Sequence, residues 1–111
     1  MSMQSDAEKT RVLNDELRKH LLGGGAVITA GIAELGPDAV KRLVLTLAVY
    51  DEFHHANDPY EQHDFGAFEF EGTRVAFKID YYDKSLTFHS PNPADPSVTE
   101  RIITIMRAEE Y

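Results

Sequence analysis

The sequence predicts an α+β domain in the order αβαβββα, with helices packed on one face of a small antiparallel or mixed sheet. Three observations carry that expectation. Apolar residues recur at helical spacing in three separate segments, strict alternation marks a hairpin between Gly66 and Ile79, and glycine or proline punctuates the junctions. At 111 residues the chain suits a single domain, 1–111, whose core buries about two-thirds of the surface exposed on unfolding.

Ser5 followed by Glu8 is a capping-box pattern, and Leu13, Leu17 and Leu21 then recur every four residues until Gly23, Gly24 and Gly25. This predicts helix one over roughly residues 6–22. Ala26 to Ala33 is short, rich in small and β-branched residues and bounded by glycine, which favours a buried strand. Pro37 and Asp38 suit a first helical turn, and Val40, Leu43, Val44 and Leu47 form the stripe of a helix ending near Tyr50. Segment 51–65 has no sustained period and reads as a long loop.

The hairpin places Phe68 and Phe70 on one face of its first strand, and Val75, Phe77 and Ile79 on one face of its second. A two-residue turn at Glu71-Gly72 would set Glu69 opposite Arg74. A further turn at Asp83-Lys84 would return the chain as a third strand over residues 86–89, with Phe88 opposite Ile79 and Leu86 opposite Tyr81. Ser90 to Pro96 then forms a rigid connector. Asp95 as N-cap and Pro96 at the first helical position predict a last helix with Val98, Ile102, Ile105 and Met106 as its stripe. The expected core includes Leu47, Phe68, Phe77, Ile79 and Ile102.

A net charge of −8 argues against direct binding of nucleic acid, which needs a basic patch to release counterions from phosphates. With no cysteine there is no disulfide framework, thiolate metal site or cysteine nucleophile, and a reducing, cytoplasmic location is expected. The polar N-terminus MSMQSDAEKT has no signal-peptide pattern, and no apolar run is long enough to span a membrane. The three consecutive glycines follow a helix and precede a strand, the reverse of a phosphate loop.

The functional signal is concentrated between Leu43 and Thr73, which hold seven carboxylates and no lysine or arginine. Such a one-signed stretch builds a negative potential that attracts basic surfaces. It makes Asp51, Glu52, Asp58, Tyr60, Glu61, His63 and Asp64 a candidate binding surface for a basic protein or protein complex, with no cofactor required. The reading is a non-catalytic inhibitor of a nucleic-acid-handling defence complex, of the anti-restriction or anti-CRISPR type. An alternative comes from extending the hairpin register, which sets His63 across from Asp80, Asp80 across from Thr87 and Lys78 across from His89. His63, Asp64 and Asp80 would then form a hydrolytic or acid–base site. His54, His55, Asp58 and His63 are the candidate ligands should that site use a divalent metal, although their spacing matches no metal motif.

Asn57 to Gly66 (NDPYEQHDFG), Lys78 to Asp83 (KIDYYD) and the connector Ser90 to Pro96 together resemble a bacterial domain-of-unknown-function family, number 3768. The likeness runs nearly end to end and includes Thr29-Ala30-Gly31. Gln62 and Asn92 depart from its pattern, and neither touches His63, Asp64 or Asp80. The resemblance implies no reaction. Its members are small proteins of chromosomes and plasmids, some encoded near anti-restriction genes, which by association implies a role in defence or counter-defence.

Overall fold

The computed structural model describes residues 5–111. Met1 to Gln4, part of the polar N-terminus, lie outside the described residues. Helix α1 (Asp6–His20) begins as its capping pattern predicts, with Ser5 Oγ accepting from the Glu8 N–H at 3.1 Å. It ends where Leu21 turns left-handed at φ 54°. Its buried stripe is Thr10, Asn14, Leu17 and Arg18, so of the leucines at 13, 17 and 21 only Leu17 is fully buried. Leu21 is exposed, and two polar side chains and a charged one share the buried face with Leu17.

Strand β1 (Gly25–Ile28) is shorter than the expected 26–33, because Thr29 starts a one-turn helix, α2 (Ala30–Ala33). That turn is fixed from the far end of the chain. Thr29 Oγ1 and the Gly31 N–H both donate to the Glu110 carboxylate, at 2.7 and 3.3 Å. A Cβ at Gly31 would come within 2.5 Å of that carboxylate, so a side chain there would push Glu110 aside. Helix α3 (Pro37–Ala48) follows, burying Leu43 and Leu47.

Strands β2 (Phe65–Phe70) and β3 (Thr73–Tyr82) form the predicted hairpin, with Glu69 opposite Arg74 and both turn residues, Glu71 and Gly72, at positive φ. The two elements expected after it differ. Residues 86–89 form no strand; they close a turn in which Phe88 and Leu86 are exposed and an isolated bridge joins Tyr82 to His89. The meander is completed instead by β4 (Glu100–Arg107), where a helix was expected. Asp95 does cap and Pro96 does lead, but the helix they start is a single 3₁₀ turn, Pro96–Val98. Thr99, Ile102, Ile103, Thr104 and Ile105 then bring a density of β-branched side chains that favours a pleated strand over another helical turn. A second 3₁₀ turn, Ala108–Glu110, ends the chain.

The sheet runs β1-β4-β3-β2, with β1 parallel to β4 and the other pairs antiparallel. The fold is therefore α+β with a mixed four-stranded sheet. Leu17, Ile32, Leu43 and Leu47 from the helices meet Phe68, Phe70, Val75, Phe77, Ile79, Ile103 and Ile105 from the sheet in one core. Ile102, expected in that core, lies opposite Asp80 on the other face and is only half-buried, because in a strand its neighbours 101 and 103 take the inward direction.

At Gly66 the packing leaves no room for a side chain: a Cβ there would sit 2.5 Å from ring carbons of both Phe77 and Tyr50. Gly66→Ala should destabilise the fold by about 1–3 kcal/mol through overpacking. Thermal and urea melts check this, and an unchanged midpoint would show that the two rings yield freely.

Candidate functional site

The long loop between α3 and β2 is tied down by its own polar groups. Asp58, 4% exposed, accepts from the N–H groups of Gln62 and His63 at 2.9 and 3.1 Å. This holds Glu61 and His63 at positive φ, 55° and 57°. The His54 N–H donates to Asn57 Oδ1 at 3.0 Å, and the Asp58 N–H donates to the His54 carbonyl at 2.8 Å, which closes a turn over 54–58.

His63 fastens the loop to α1. Its Nδ1–H donates to Asp15 Oδ1 at 2.8 Å, its ring stacks on Phe53 at 3.9 Å, and its Nε2 lies 3.6 Å from Asp58 Oδ2. Arg18 donates to the same Asp15 oxygen at 2.7 Å and lies over the Phe53 ring at 5.0 Å. Burial pushes the Asp15 carboxyl up, but donation from Arg18 and His63 outweighs it and holds the group below its ordinary value. Arg18 is 2% exposed and its Nε–H finds no partner among the described residues.

A second polar group lies deeper. Asn14, fully buried, donates to the Gln62 carbonyl at 2.9 Å and to the Tyr81 hydroxyl at 2.7 Å, and accepts from Arg101 Nε at 2.7 Å. Arg101, 1% exposed, also donates to the Pro93 carbonyl and lies over the Tyr81 ring at 5.2 Å. Burial, reinforced by the Asp64 charge, pushes the Tyr81 hydroxyl well above its ordinary range, so it stays protonated and donates to Asp64 at 3.2 Å.

Asp64 is half-buried. Burial raises its carboxyl, the Tyr81 hydrogen bond lowers it, and the charges of Asp58 and Asp80 raise it again, leaving it above the ordinary carboxylate value. A carboxyl raised on folding stabilises the fold below its unfolded pKa, and that contribution is lost as pH rises through the folded value. Asp64→Asn should therefore gain stability relative to the native chain as pH increases across that interval, and denaturation at a series of pH values reads the difference. A difference independent of pH would mean that the Asp64 charge is not destabilising.

The structure separates the residues expected to act together. His63 meets Asp15 and Asp58 rather than Asp80, because the left-handed backbone at His63 turns its side chain off the strand direction. Asp80 pairs with Lys78 at 3.0 Å on the sheet face away from the helices. Lys78 lies opposite Phe65 and Thr104, and not His89. Asp64 and Asp80 do line one cleft, with His89 and Thr87 beside them. His54, His55, Asp58 and His63 line another cavity of about 430 Å³, yet among the described residues no group of three or more histidine or acidic side chains is placed to hold a metal ion.

Of the candidate binding residues, Asp51, Glu52, Tyr60 and Glu61 are exposed, whereas Asp58 is buried as the loop's internal acceptor and leaves that surface. Glu69 and Glu71 are matched by Arg74 and Arg42, at 3.8 and 2.9 Å. An imidazole oriented by a carboxylate is the arrangement that acid–base chemistry uses, but here both ring nitrogens face carboxylates. Asp15, Arg18, Asn14, Phe53 and Arg101 were not singled out from the sequence. The signal for the first three was present as polar residues at helical spacing, Asn14 to Arg18 at i, i+4 and Asp15 to Arg18 at i, i+3, running beside Leu17 on α1.

A family model described as "Protein of unknown function (DUF3768)" matches residues 28–110. The chain belongs to that family. The DUF3768 span begins at Ile28, the last residue of β1, and runs to the C-terminal turn, with His63, Asp64, Tyr81 and Arg101 inside it, and leaves α1 with Asn14, Asp15 and Arg18 outside. No curated protein and no solved structure matches the chain.

Proposed function

We propose that the protein is a non-catalytic binding protein that docks on a basic protein surface, as an inhibitor occupying the groove of a nucleic-acid-handling defence complex would. One observation carries this reading. The loop before β2 uses Asp58, Asn57 and His63 inward to hold its own shape, and presents Asp51, Glu52, Tyr60 and Glu61 outward on that fixed frame. A preformed loop loses little entropy on association, an exposed tyrosine ring is a good anchor, and Asp51 and Glu52, with Glu61 met by Arg11 at 4.0 Å, supply the charge that a phosphate-binding groove selects.

The test is recovery of partners from a lysate with the native chain and with Asp51→Asn/Glu52→Gln/Glu61→Gln, at increasing salt. These side chains are exposed, so the variant should fold normally. The native chain should retain a partner whose association weakens steeply with salt, since steering is screened over about 8 Å at physiological ionic strength, and the variant should lose it. Recovery of the same proteins with the same salt dependence would remove the physical basis of the reading.

A further inference from the structure

Strand β1 ends the sheet, and among the described residues its outer edge pairs with nothing. The Thr29 N–H donates to the Ile105 carbonyl at 3.1 Å, and Val27 and Ile28 lie opposite Thr104 and Ile105. Alternation along the strand then turns the N–H and C=O groups of Gly25 and Val27 toward β4 and those of Ala26 and Ile28 outward. We infer that this edge receives the same strand of a second copy of the chain, antiparallel about a two-fold axis, so that the two sheets join into one.

The strand sets its own register. When Ala26 lies opposite the partner's Ile28, and Ile28 opposite the partner's Ala26, each pair exchanges both of its N–H···O bonds, and the two copies of Val27 meet at the axis. That central pair is not hydrogen-bonded, which is where facing side chains come closest. The side chains needed for it are in place. Ala26, Val27 and Ile28 are all exposed, Val27 by 49% and Ile28 by 39%, although successive residues of a strand point to opposite faces. Leu21 and Leu22, on the approach to the strand, are exposed as well. Free edges are commonly blunted by lysine, proline or a bulge, and β1 carries none of these.

Charge selects a second copy as the occupant. A chain of net charge −8 repels its own copies except where they meet on uncharged surface. Leu21 to Ala33 is the longest run in the chain without an ionisable side chain, and β1 lies within it. The acidic loop lies at the other end of the sheet, where Glu52, His54 and Asn57 line a cavity with Phe65 and Ala67 of β2. Joining through β1 keeps the two acidic loops far apart and free, whereas joining through β2 would bring them together. The dimer does not depend on what those loops bind. So short an edge makes a concentration-dependent contact rather than an obligate one.

Sedimentation velocity and native mass spectrometry on a dilution series of the full chain should show a monomer–dimer equilibrium. Amide exchange over the same series reads the geometry without any variant. The Ala26 and Ile28 N–H groups should be protected in concentrated solution and exchange freely on dilution, while the Val27 N–H, turned toward β4, keeps its protection throughout. Ala26→Pro removes one outward N–H from each copy and none that faces β4, and Val27→Lys sets like charges opposite each other at the axis. Each should raise the dissociation constant by about tenfold or more, with the fold of the dilute monomer unchanged by circular dichroism. A chain that stays monomeric at millimolar concentration, exchange at Ala26 and Ile28 that ignores concentration, or a dimer that tolerates both substitutions would each overturn the assignment.

Discussion

Phe77→Ala should lower stability by about 3–5 kcal/mol, the cost of emptying a large buried aromatic site. Phe77 has no solvent exposure and lies at the centre of the sheet, with the Tyr50 ring 5.4 Å away and the Phe53 ring 6.2 Å away, both edge-on. The effect should reach the candidate site, because Phe53 is also the ring on which His63 stacks. Urea denaturation gives the magnitude, and hydrogen exchange across 53–63 should quicken before global unfolding. A loss below about 1 kcal/mol would mean that the apolar face of β3 is not the centre of the core.

What could be read from the sequence was whatever local pattern decides. Alternation fixed β2 and β3 together with their register, and the Glu71-Gly72 turn follows from the need for two residues at positive φ. The last strand was harder. Residues 101–106 satisfy a helical stripe through Ile102, Ile105 and Met106, and equally a strand that buries Arg101, Ile103 and Ile105. Choosing the second requires accepting a buried arginine, which acceptors on α1 and at the Pro93 carbonyl make acceptable. The tertiary context decided it.

His63 failed differently. The hairpin register does extend past β2, since the Ile79 N–H donates to the Asp64 carbonyl at 2.8 Å, so the pairing expected from sequence holds as far as Asp64. One residue earlier the backbone turns left-handed, and the imidazole goes to Asp15 instead of Asp80. Nothing local in the sequence marks that reversal; it depends on Asp58 accepting two successive N–H groups from within the loop. The exposed carboxylates were legible as charge, but which of them remain unmatched depended on where Arg11, Arg42 and Arg74 fall.

Asn14 is where these distant segments meet, and its replacement should have the second largest effect. Its amide joins α1 to the Gln62 carbonyl of the loop, to the Tyr81 hydroxyl of β3 and to the Arg101 guanidinium of β4. Asn14→Ala leaves a buried carbonyl and a guanidinium N–H each without this partner, at roughly 1–3 kcal/mol per group, so a total loss of about 3–5 kcal/mol is expected. Asn14→Leu separates polarity from packing. It keeps a side chain of similar size on α1, so a comparable loss identifies unsatisfied hydrogen bonding as the cause, whereas a loss under about 1 kcal/mol would show that apolar filling suffices. Hydrogen exchange in the same variants tests the link to the site. With the Gln62 anchor gone, the loop keeps its His63–Asp15 tie to α1 but loses the neighbouring one, and amides of 60–64 should lose protection by more than the fall in global stability accounts for. If they lose only the global amount, Asn14 stabilises the core without holding the loop.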